Sequence, residues 1–340
     1  MSRVRSVERI ADARAAPRAV VDGATLTDVQ PFRFAITTST PPGGSAPPGE
    51  AWAALARRAE SLGYGTFLIP DHLGRQLAPI AALTAAAAAT TTLRVGPFVF
   101  ANDYRNPLIL ASEAATLDVL SGGRLELGLG AGWRVTDYRW LGLPYAEPKV
   151  RVDRLIEATA ILKRLFAGER VSHDGPHYRL DGAQLYPLPV QQPHPPIQIG
   201  GGGPRMLRFA AREADIVGLL PQFDPQGRPM AMQATEAATE RKADIVRAAA
   251  GGRWERLELN VIVFDAGLVG SGAGPFASVA TAAKAAAVGL VGTPYVLYGS
   301  VGRLRDLLLR RRDRTGINYY ALPARCMDSM APLVEAMAGR

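Results

Sequence analysis

The sequence predicts an α/β fold, a (β/α)8 TIM barrel with an insertion after its fourth helix. Short apolar runs alternate with longer segments whose apolar residues recur at helical spacing, which is typical of a parallel sheet covered by helices. The alternation occurs eight times, the number of strands in a closed barrel. The chain has 340 residues, 48% of them hydrophobic, so it can bury the core that such a barrel needs.

The first half of the chain contains four predicted strand–helix pairs. Glycines end several of the helices, for example Gly63 after the first and Gly122 after the third, as expected for residues that adopt left-handed backbone angles easily. The predicted strands are 32–38, 65–70, 93–100 and 124–130, and the predicted helices are 50–62, 78–89, 107–121 and 149–168.

The alternation stops at residues 169–195 and then resumes. Proline, glycine and three of the four histidines fall in this stretch without helical spacing, which predicts an insertion built from a small hairpin and an extended proline-rich segment. The later strands are predicted at 196–203, 215–220, 256–264 and 316–323, and the later helices at 204–213, 231–250, 274–289 and 329–337.

Residues 31–340 are expected to form one barrel domain, and residues 1–30 a leader that is partly disordered. The leader alternates charged residues and alanine without a clear apolar face. An open doubly wound sheet is the alternative arrangement of the same elements.

The composition indicates a cytoplasmic protein without a membrane span. No apolar run reaches the roughly 18 residues of a transmembrane helix, and the first thirty residues lack the basic start and apolar core of a signal peptide. The single cysteine, Cys326, excludes an internal disulfide and fits a reducing compartment.

The net charge of +8 is concentrated rather than spread evenly. Residues 301–316, on one predicted helix, carry a net +4, half of the excess. No aromatic residues are interleaved with these arginines, as a surface for stacking nucleic-acid bases would require. A solvated helix face is therefore expected, with no nucleic-acid partner; the alternative is a weak attraction for an anionic small molecule or cofactor tail.

Polar residues and glycines collect where the predicted strands end. Because active sites of such barrels lie at the carboxyl ends of the strands, these residues are expected to meet at one mouth. They are Asp71 and His72 after the second strand, Asn102, Asp103 and Arg105 after the third, Trp133, Thr136 and Asp137 after the fourth, and the run GGGGPR, residues 200–205, after the fifth.

Two of these groups indicate chemistry. His72 carries an imidazole that can exchange a proton near pH 7, although a helix cap with a surface imidazole is the structural alternative. Glycines followed by Pro204 at a helix start let backbone N–H groups approach a phosphate. Neither this run nor the run GLGAG, residues 128–132, fits the G-x-G-x-x-G fingerprint of dinucleotide-binding sites. His173, His177 and His194 lack the spacing of metal ligands, so no metal site is predicted.

The chain resembles the luciferase-like monooxygenase superfamily. The resemblance rests on NPLILASEAATLDVLSGGRLELGLGAGWRVTDYRWLGLPY, residues 106–145, and PHPPIQIGGGGPRMLRFAAREADIV, residues 193–217, and extends from about residue 31 to the end. Within the superfamily it is most similar to the branch that uses the deazaflavin coenzyme F420. The resemblance implies a (β/α)8 barrel, a homodimer, and a flavin-like ring at the barrel mouth.

The resemblance also implies roles for individual residues. His72 matches a histidine that handles a proton beside the ring. Phe98 and Val99 match a bulge with a non-prolyl cis peptide behind the ring. Trp133 stands where the family's glucose-6-phosphate dehydrogenases have a glutamate, which argues against sugar-phosphate oxidation. The predicted cofactor-binding residues are Asp71, Phe98, Val99, Gly130, Trp133, Thr136, Asp137, Gly201, Gly202, Gly203 and Pro204.

The predicted function is hydride transfer between ring carbon five of F420 and a small organic substrate. Reduction of a C=C, C=N or C=O bond is favoured, with His72 supplying or positioning the proton, and oxidation of an alcohol stays open. The cofactor determines the class of reaction. One alternative is an FMN-dependent monooxygenase of the same fold, and the other is a non-catalytic barrel that binds a cofactor or ligand.

Overall fold

The computed structural model describes residues 30–223, 230–268 and 293–340. The predicted leader therefore lies outside the described residues, apart from Gln30. The predicted helix at 274–289 lies outside them as well.

A parallel barrel is built from the predicted strands. Its strands are β1 (Arg33–Thr37), β2 (Thr66–Ile69), β3 (Arg94–Pro97), β4 (Phe100–Ala101), β5 (Leu127–Gly130), β8 (Ile197–Gly201), β9 (Ile216–Leu219), β10 (Glu258–Ile262) and β13 (Ile317–Pro323). The hydrogen-bonded order is β3-β2-β1-β13-β10-β9-β8-β5-β4.

The barrel closes where the third predicted strand is divided into β3 and β4. These two pieces lie at opposite edges of the strand order, and only Phe98 and Val99 separate them along the chain. A parallel bridge between Val95 and Leu125 also joins β3 to the approach of β5. The eight predicted strands and the (β/α)8 barrel are thus confirmed, rather than the open sheet.

The helices cover the outside of the barrel. They are α1 (Pro48–Ser61), α2 (Pro79–Ala88), α3 (Pro107–Ser121), α4 (Val135–Leu141), α5 (Pro148–Phe166), α6 (Pro204–Glu213), α7 (Glu236–Ala250), α8 (Val301–Thr315) and α9 (Met327–Met337). Five of them begin with proline, which has no N–H to leave unpaired in the first turn. None of the helices in the described ranges has the length and apolar character needed to cross a membrane.

Two helices differ from the sequence prediction. α7 begins at Glu236 rather than at residue 231, because the Thr235 side chain accepts a hydrogen bond from the Ala238 amide and starts the helix there. α4 was not predicted as a helix, because its seven residues are too few to show a helical period. Gly142, in the left-handed conformation, ends it.

The insertion has the predicted form. β6 (Val171–Asp174) and β7 (Arg179–Ala183) form an antiparallel hairpin, and the segment after it contains cis peptide bonds at Tyr186–Pro187 and Gln192–Pro193. A further parallel pair, β11 (Asp265–Leu268) with β12 (Val296–Gly299), follows β10 and was not predicted.

Charged side chains occupy the amino-terminal end of the barrel. Arg33 contacts both Glu126 and Glu258, and Arg94 Nε lies 2.8 Å from Glu126 Oε1. The Tyr319 hydroxyl donates to Glu126 over 3.1 Å. This network fills the end of the barrel opposite the mouth, so the interior is packed and not a pore.

Candidate active site

Asp71 and His72 follow β2 directly but have different partners. Both oxygens of the Asp71 carboxylate accept hydrogen bonds from Arg105, over 2.7 and 3.0 Å, and Oδ2 also accepts from the Ala101 amide over 3.0 Å. Asp71 is buried, and the Arg105 guanidinium lies over the Phe100 ring. The carboxylate therefore ties the end of β2 to β4.

His72 pairs with Asp137 on α4, which follows β5. His72 Nδ1 lies 2.8 Å from Asp137 Oδ2, and the aspartate side chain is fully buried. The carboxylate also accepts hydrogen bonds from the Leu73 amide and the Tyr104 hydroxyl, both over 3.3 Å. Because the carboxylate can only accept from a neutral imidazole, it selects the tautomer with the proton on Nδ1.

This pairing leaves Nε2 of His72 as the ring nitrogen that is not bound to Asp137. Nε2 has no hydrogen-bond partner within the described part of the chain, and about a quarter of the side chain is exposed, 27%. Burial and the negative charge of Asp137 raise the pKa of Tyr104, so this phenol stays protonated and donates to the carboxylate. The arrangement can accept or release a proton at one nitrogen facing the mouth.

A row of aromatic rings crosses the mouth beside His72. The edge of His72 meets Trp133 with ring centres 5.3 Å apart, and Trp133 stacks on Phe223 at 5.2 Å. Phe223 meets Phe264, which stacks on Tyr295. These rings exclude water from one side of the imidazole.

The bulge between β3 and β4 contains the cis peptide bond that the resemblance implied at Phe98–Val99. Phe98 packs against barrel-interior residues that include Leu68 and Tyr319. The Val99 side chain lies over the backbone of β5 and β8: a Cβ on Gly130 would stand 2.6 Å from Val99 Cγ2. Glycine at 130 is therefore required by the close approach of Val99.

The glycine loop joins β8 to α6. Gly203 is the N-cap residue of α6 and Pro204 its first residue. A Cβ on Gly202 would stand 2.5 Å from the Leu220 carbonyl oxygen, so only glycine lets the loop lie this close to β9. The exposed N–H groups at the start of such a helix form a surface that favours phosphate.

The predicted site residues thus gather at one end of the barrel. Tyr104 and Phe223 were not predicted there, and Arg105 was expected at the mouth without a partner. Arg105, Tyr104 and Phe223 hold Asp71, Asp137 and Trp133 in place. Arg105 follows the third predicted strand and could be found as a mouth residue from the sequence. Its pairing with Asp71 could not, because that pairing depends on the distance between two loops.

The imidazoles of two of the three remaining histidines have structural partners. His173 Nε2 lies 2.8 Å from Glu157 Oε1, and His194 Nδ1 lies 2.9 Å from the Pro195 carbonyl oxygen. The hairpin reaches the mouth through Tyr178, whose hydroxyl accepts from the Asn102 amide over 2.8 Å. Among the described residues, no group of three or more His, Cys, Asp or Glu is arranged to hold a metal.

Comparison with known proteins identifies the family. The family model for luciferase-like monooxygenases matches residues 31–252, and the chain therefore belongs to this family. An F420-dependent glucose-6-phosphate dehydrogenase from Nakamurella multipartita is 36% identical over 193 residues, covering 54% of this chain and 55% of the relative. The chain spans about half the length of the curated relatives it matches.

Solved structures share the fold at low identity. The F420-dependent tetrahydromethanopterin reductase from Methanopyrus kandleri matches with a TM-score of 0.69 and 18% identity, over 90% of this chain and 99% of that one. A Baeyer–Villiger monooxygenase from Pseudomonas putida, in complex with FMN, matches with a TM-score of 0.65 and 18% identity, over 90% and 95%. Both support the barrel fold.

Proposed function

We propose that this protein is an F420-dependent oxidoreductase that reduces a C=C, C=N or C=O bond of a small organic substrate. The observation that carries the proposal is the His72–Asp137 pair, which presents one imidazole nitrogen at the barrel mouth. The named function of the Nakamurella relative supports the choice of cofactor. The reverse reaction, oxidation of an alcohol, uses the same groups.

The residues at the mouth fit a cofactor with a phosphate and a flat ring. The backbone N–H groups of Gly201, Gly202 and Gly203 and the start of α6 would hold the phosphate, because glycines lack the side chains that would keep a phosphate away from the backbone. The ring would lie against Val99, whose side chain approaches the backbone of Gly130. When bound, the deazaflavin supplies hydride exchange at ring carbon five.

Other predicted cofactor residues keep more specific roles in the proposal. Thr136 and Asp137 lie in the first turn of α4, where Thr136 would contact the cofactor and the buried Asp137 orients His72. Asp71 acts through Arg105, by fixing the loop that carries His72. Phe98 and Trp133 border the space beside the ring, and the hairpin closes it at Tyr178.

The chain's own chemistry is proton transfer and exclusion of water. His72 Nε2 delivers a proton to the substrate atom that gains charge during reduction, and the Asp137 carboxylate stabilises the imidazolium before delivery. Trp133 and Phe223 shield this step from water. A low local dielectric strengthens the His72–Asp137 attraction.

The test is a fluorescence titration of the purified protein with F420 and, separately, with FMN. We expect saturable binding of F420, followed by oxidation of reduced F420 when an enone, imine or ketone from a substrate panel is added. Tight FMN binding with no response to F420 would contradict the proposal.

An FMN-dependent monooxygenase is the second candidate. It is favoured by the shared fold of the FMN-bound monooxygenase and by a glycine loop that suits either phosphate. Oxygen uptake with reduced FMN would identify it. A non-catalytic binding barrel is the third candidate and would show no turnover with either cofactor. The buried Asp137 carboxylate argues against a non-catalytic barrel, because a site that only binds a ligand does not need an imidazole held in one orientation.

We also propose that the protein is a cytoplasmic homodimer joined through α2 and α3. α2 contains no charged residue, yet Ala81, Ala85 and Ala88 are exposed on it. Neighbouring α3 exposes Ile109 and Leu120, at 57% and 65%. A surface helix without a polar face is expected to be covered, and small residues on α2 permit close helix packing.

A further inference from the structure

We infer that the barrel mouth contains a recognition site for the carboxylate of an anionic substrate, with Arg325 as the group that receives it. The inference rests on the proposed function, because it names the class of substrate for the same mouth. It starts from an open cleft of about 320 Å³ at the barrel mouth. The cleft is lined by Thr37, Thr38, Ser39, Pro70, Pro323, Ala324 and Arg325.

The cleft lies on the half of the mouth that the cofactor residues leave free. The glycine loop, Gly130 and the Val99 bulge belong to β8, β5 and the β3–β4 junction, which are neighbours around the barrel. The cleft is formed by the ends of β1, β2 and β13, which are neighbours on the other side. Pro70 lines the cleft and lies two residues before His72 in the chain, so the cleft borders the loop that carries the imidazole.

Arg325 is the one basic side chain among the residues that line this cleft. Its Nη2 donates to Asp265 and to the Phe264 carbonyl, which fixes the orientation of the guanidinium. Nη1 and Nε have no partner within the described residues. Nη1 and Nε can therefore each donate a single charge-assisted hydrogen bond to a carboxylate.

The charge of Arg325 is directed outward. Its side chain is 61% exposed, while that of Asp265 is only 10% exposed. The Asp265 carboxylate is also engaged by the Tyr298 hydroxyl and the Cys326 thiol, so its negative charge is turned into the protein. The cleft therefore presents a positive group with hydroxyl-bearing residues, Thr37 and Ser39, at its side.

One partly compensated cation favours a singly charged ligand. A carboxylate carries one negative charge, whereas a phosphate monoester carries about −1.5 to −2 at neutral pH and usually requires more than one cation. The cleft volume accommodates a small organic acid that has its reducible bond near the carboxylate. A 2-oxo acid or an unsaturated acid meets this description.

The experiment uses phenylglyoxylate as the anionic probe, its primary amide as the neutral isostere, and phenyl phosphate as the phosphate probe. Binding to the full-length protein is measured by calorimetry without cofactor, and turnover by oxidation of reduced F420. We expect phenylglyoxylate to bind at least tenfold more tightly than the amide, in line with the roughly 1.5–3 kcal/mol of a charge-assisted hydrogen bond. Equal binding of acid and amide, or tighter binding of phenyl phosphate, would overturn the inference.

The matched variants are Arg325→Gln, Arg325→Lys and Arg305→Gln. Glutamine retains donors for Asp265 but removes the charge, so we expect Arg325→Gln to bind phenylglyoxylate about tenfold more weakly. Arg325→Lys should recover part of this binding. Arg305→Gln should leave the binding unchanged, because Arg305 pairs with Asp306 on α8. Thermal unfolding shows whether each variant folds. Should Arg325→Gln fail to fold, Arg325→Lys still tests the site, because it retains the charge but loses the N–H groups of Nη1 and Nε.

Failure of this inference can be separated from failure of the proposed function. Phenylglyoxylate binding that depends on Arg325, without any F420 binding, would support the carboxylate site but contradict F420 as the cofactor. Equal F420-dependent turnover of the acid and the amide would support the proposed function but contradict the carboxylate site. Weaker F420 binding in Arg325→Gln, with unchanged phenylglyoxylate binding, would assign the arginine to the cofactor and overturn the inference.

Discussion

At the scale of single residues, the mouth is organised by two carboxylates that the sequence alone does not distinguish. Asp71 is adjacent to His72 in the chain but binds Arg105. Asp137 is 65 residues away and binds the imidazole. The proton transfer proposed for His72 would therefore depend on Asp137 of α4, and not on the residue beside it.

Replacing His72 by alanine tests its proton-transfer role. We expect turnover to fall by about 10²–10⁴-fold, the usual contribution of a general acid or base, with an unchanged F420 dissociation constant. Steady-state rates across a range of pH values check this. Turnover equal to that of the wild type at every pH would remove His72 from the mechanism.

Replacing Asp137 by asparagine tests orientation separately from charge. The amide retains the volume but loses the negative charge that stabilises the imidazolium, so we expect kcat to fall by at least about tenfold with little change in KM. The pH dependence of kcat should shift as well, which a purely structural role would not cause. Asp313→Asn, on α8 far from His72, serves as the control.

At the scale of elements, close backbone contacts explain the glycine loop better than its flexibility does. Gly202 has no positive φ, and glycine is required there because β9 passes too close for a side chain. The same holds for Gly130 under Val99. The loop shape is thus imposed by neighbouring strands.

Substituting Gly202 by alanine should destabilise the protein. The new Cβ would lie 2.5 Å from the Leu220 carbonyl, and overpacking of this kind costs about 1–3 kcal/mol. Urea unfolding measures the change. Gly302→Ala is the matched control, because a Cβ there meets nothing within 4 Å; equal effects of the two substitutions would contradict the steric explanation.

At the scale of the whole molecule, the two ends of the barrel contain different groups of polar side chains. The candidate active site lies at the mouth, and the Arg33–Glu126–Glu258 network lies at the opposite end. Burial opposes the charge on Glu126, but Arg33 and Arg94 outweigh it and lower the pKa of Glu126. Burial raises the pKa of Glu258, with the nearby Glu126 charge adding to the effect.

These opposite shifts predict opposite pH dependences of stability. The contribution of Glu126 is fully present above its unfolded pKa, near 4.5, and is lost as the pH falls through the lower folded value. At pH 7, Glu126→Gln should cost on the order of 3–5 kcal/mol, and its difference from the wild type should shrink at acid pH.

Glu258→Gln should behave in the opposite way. The stability contribution linked to the raised pKa is present below the unfolded value and is lost as the pH rises through the folded one. The glutamine variant should therefore gain stability relative to the wild type with rising pH. Urea unfolding between about pH 2.5 and 8 checks both variants, because the Glu126 contribution changes below its unfolded pKa. Parallel pH profiles would refute this account.

The proposed dimer is tested at the same scale. A charge introduced on the exposed face of α2, in Ala85→Glu, should separate the subunits because it would be buried unpaired in the interface. Sedimentation velocity measures the mass of wild type and variant. Arg179→Glu, on the exposed hairpin strand β7, is the control; a wild-type monomer would contradict the proposal.

The sequence by itself determined the barrel and the location of its mouth. Apolar periodicity, proline at helix starts and glycine at helix ends are local signals, and they fixed the eight strands within a few residues. The resemblance to the family rests on motifs that are also local, and that resemblance implied the cis bond at Phe98–Val99. Helix α4 and the β11–β12 pair were not predicted, because these elements are too short to show a periodic pattern of apolar residues.

Only the tertiary structure decided which side chains meet. Asp137 reaches His72, Arg105 reaches Asp71, and Phe223 reaches Trp133 across loops that are distant in sequence. The cleft beside Arg325 likewise exists only because β1, β2 and β13 end side by side. Distances between loops depend on barrel closure, strand register and side-chain packing together, and no periodicity along one chain encodes that combination.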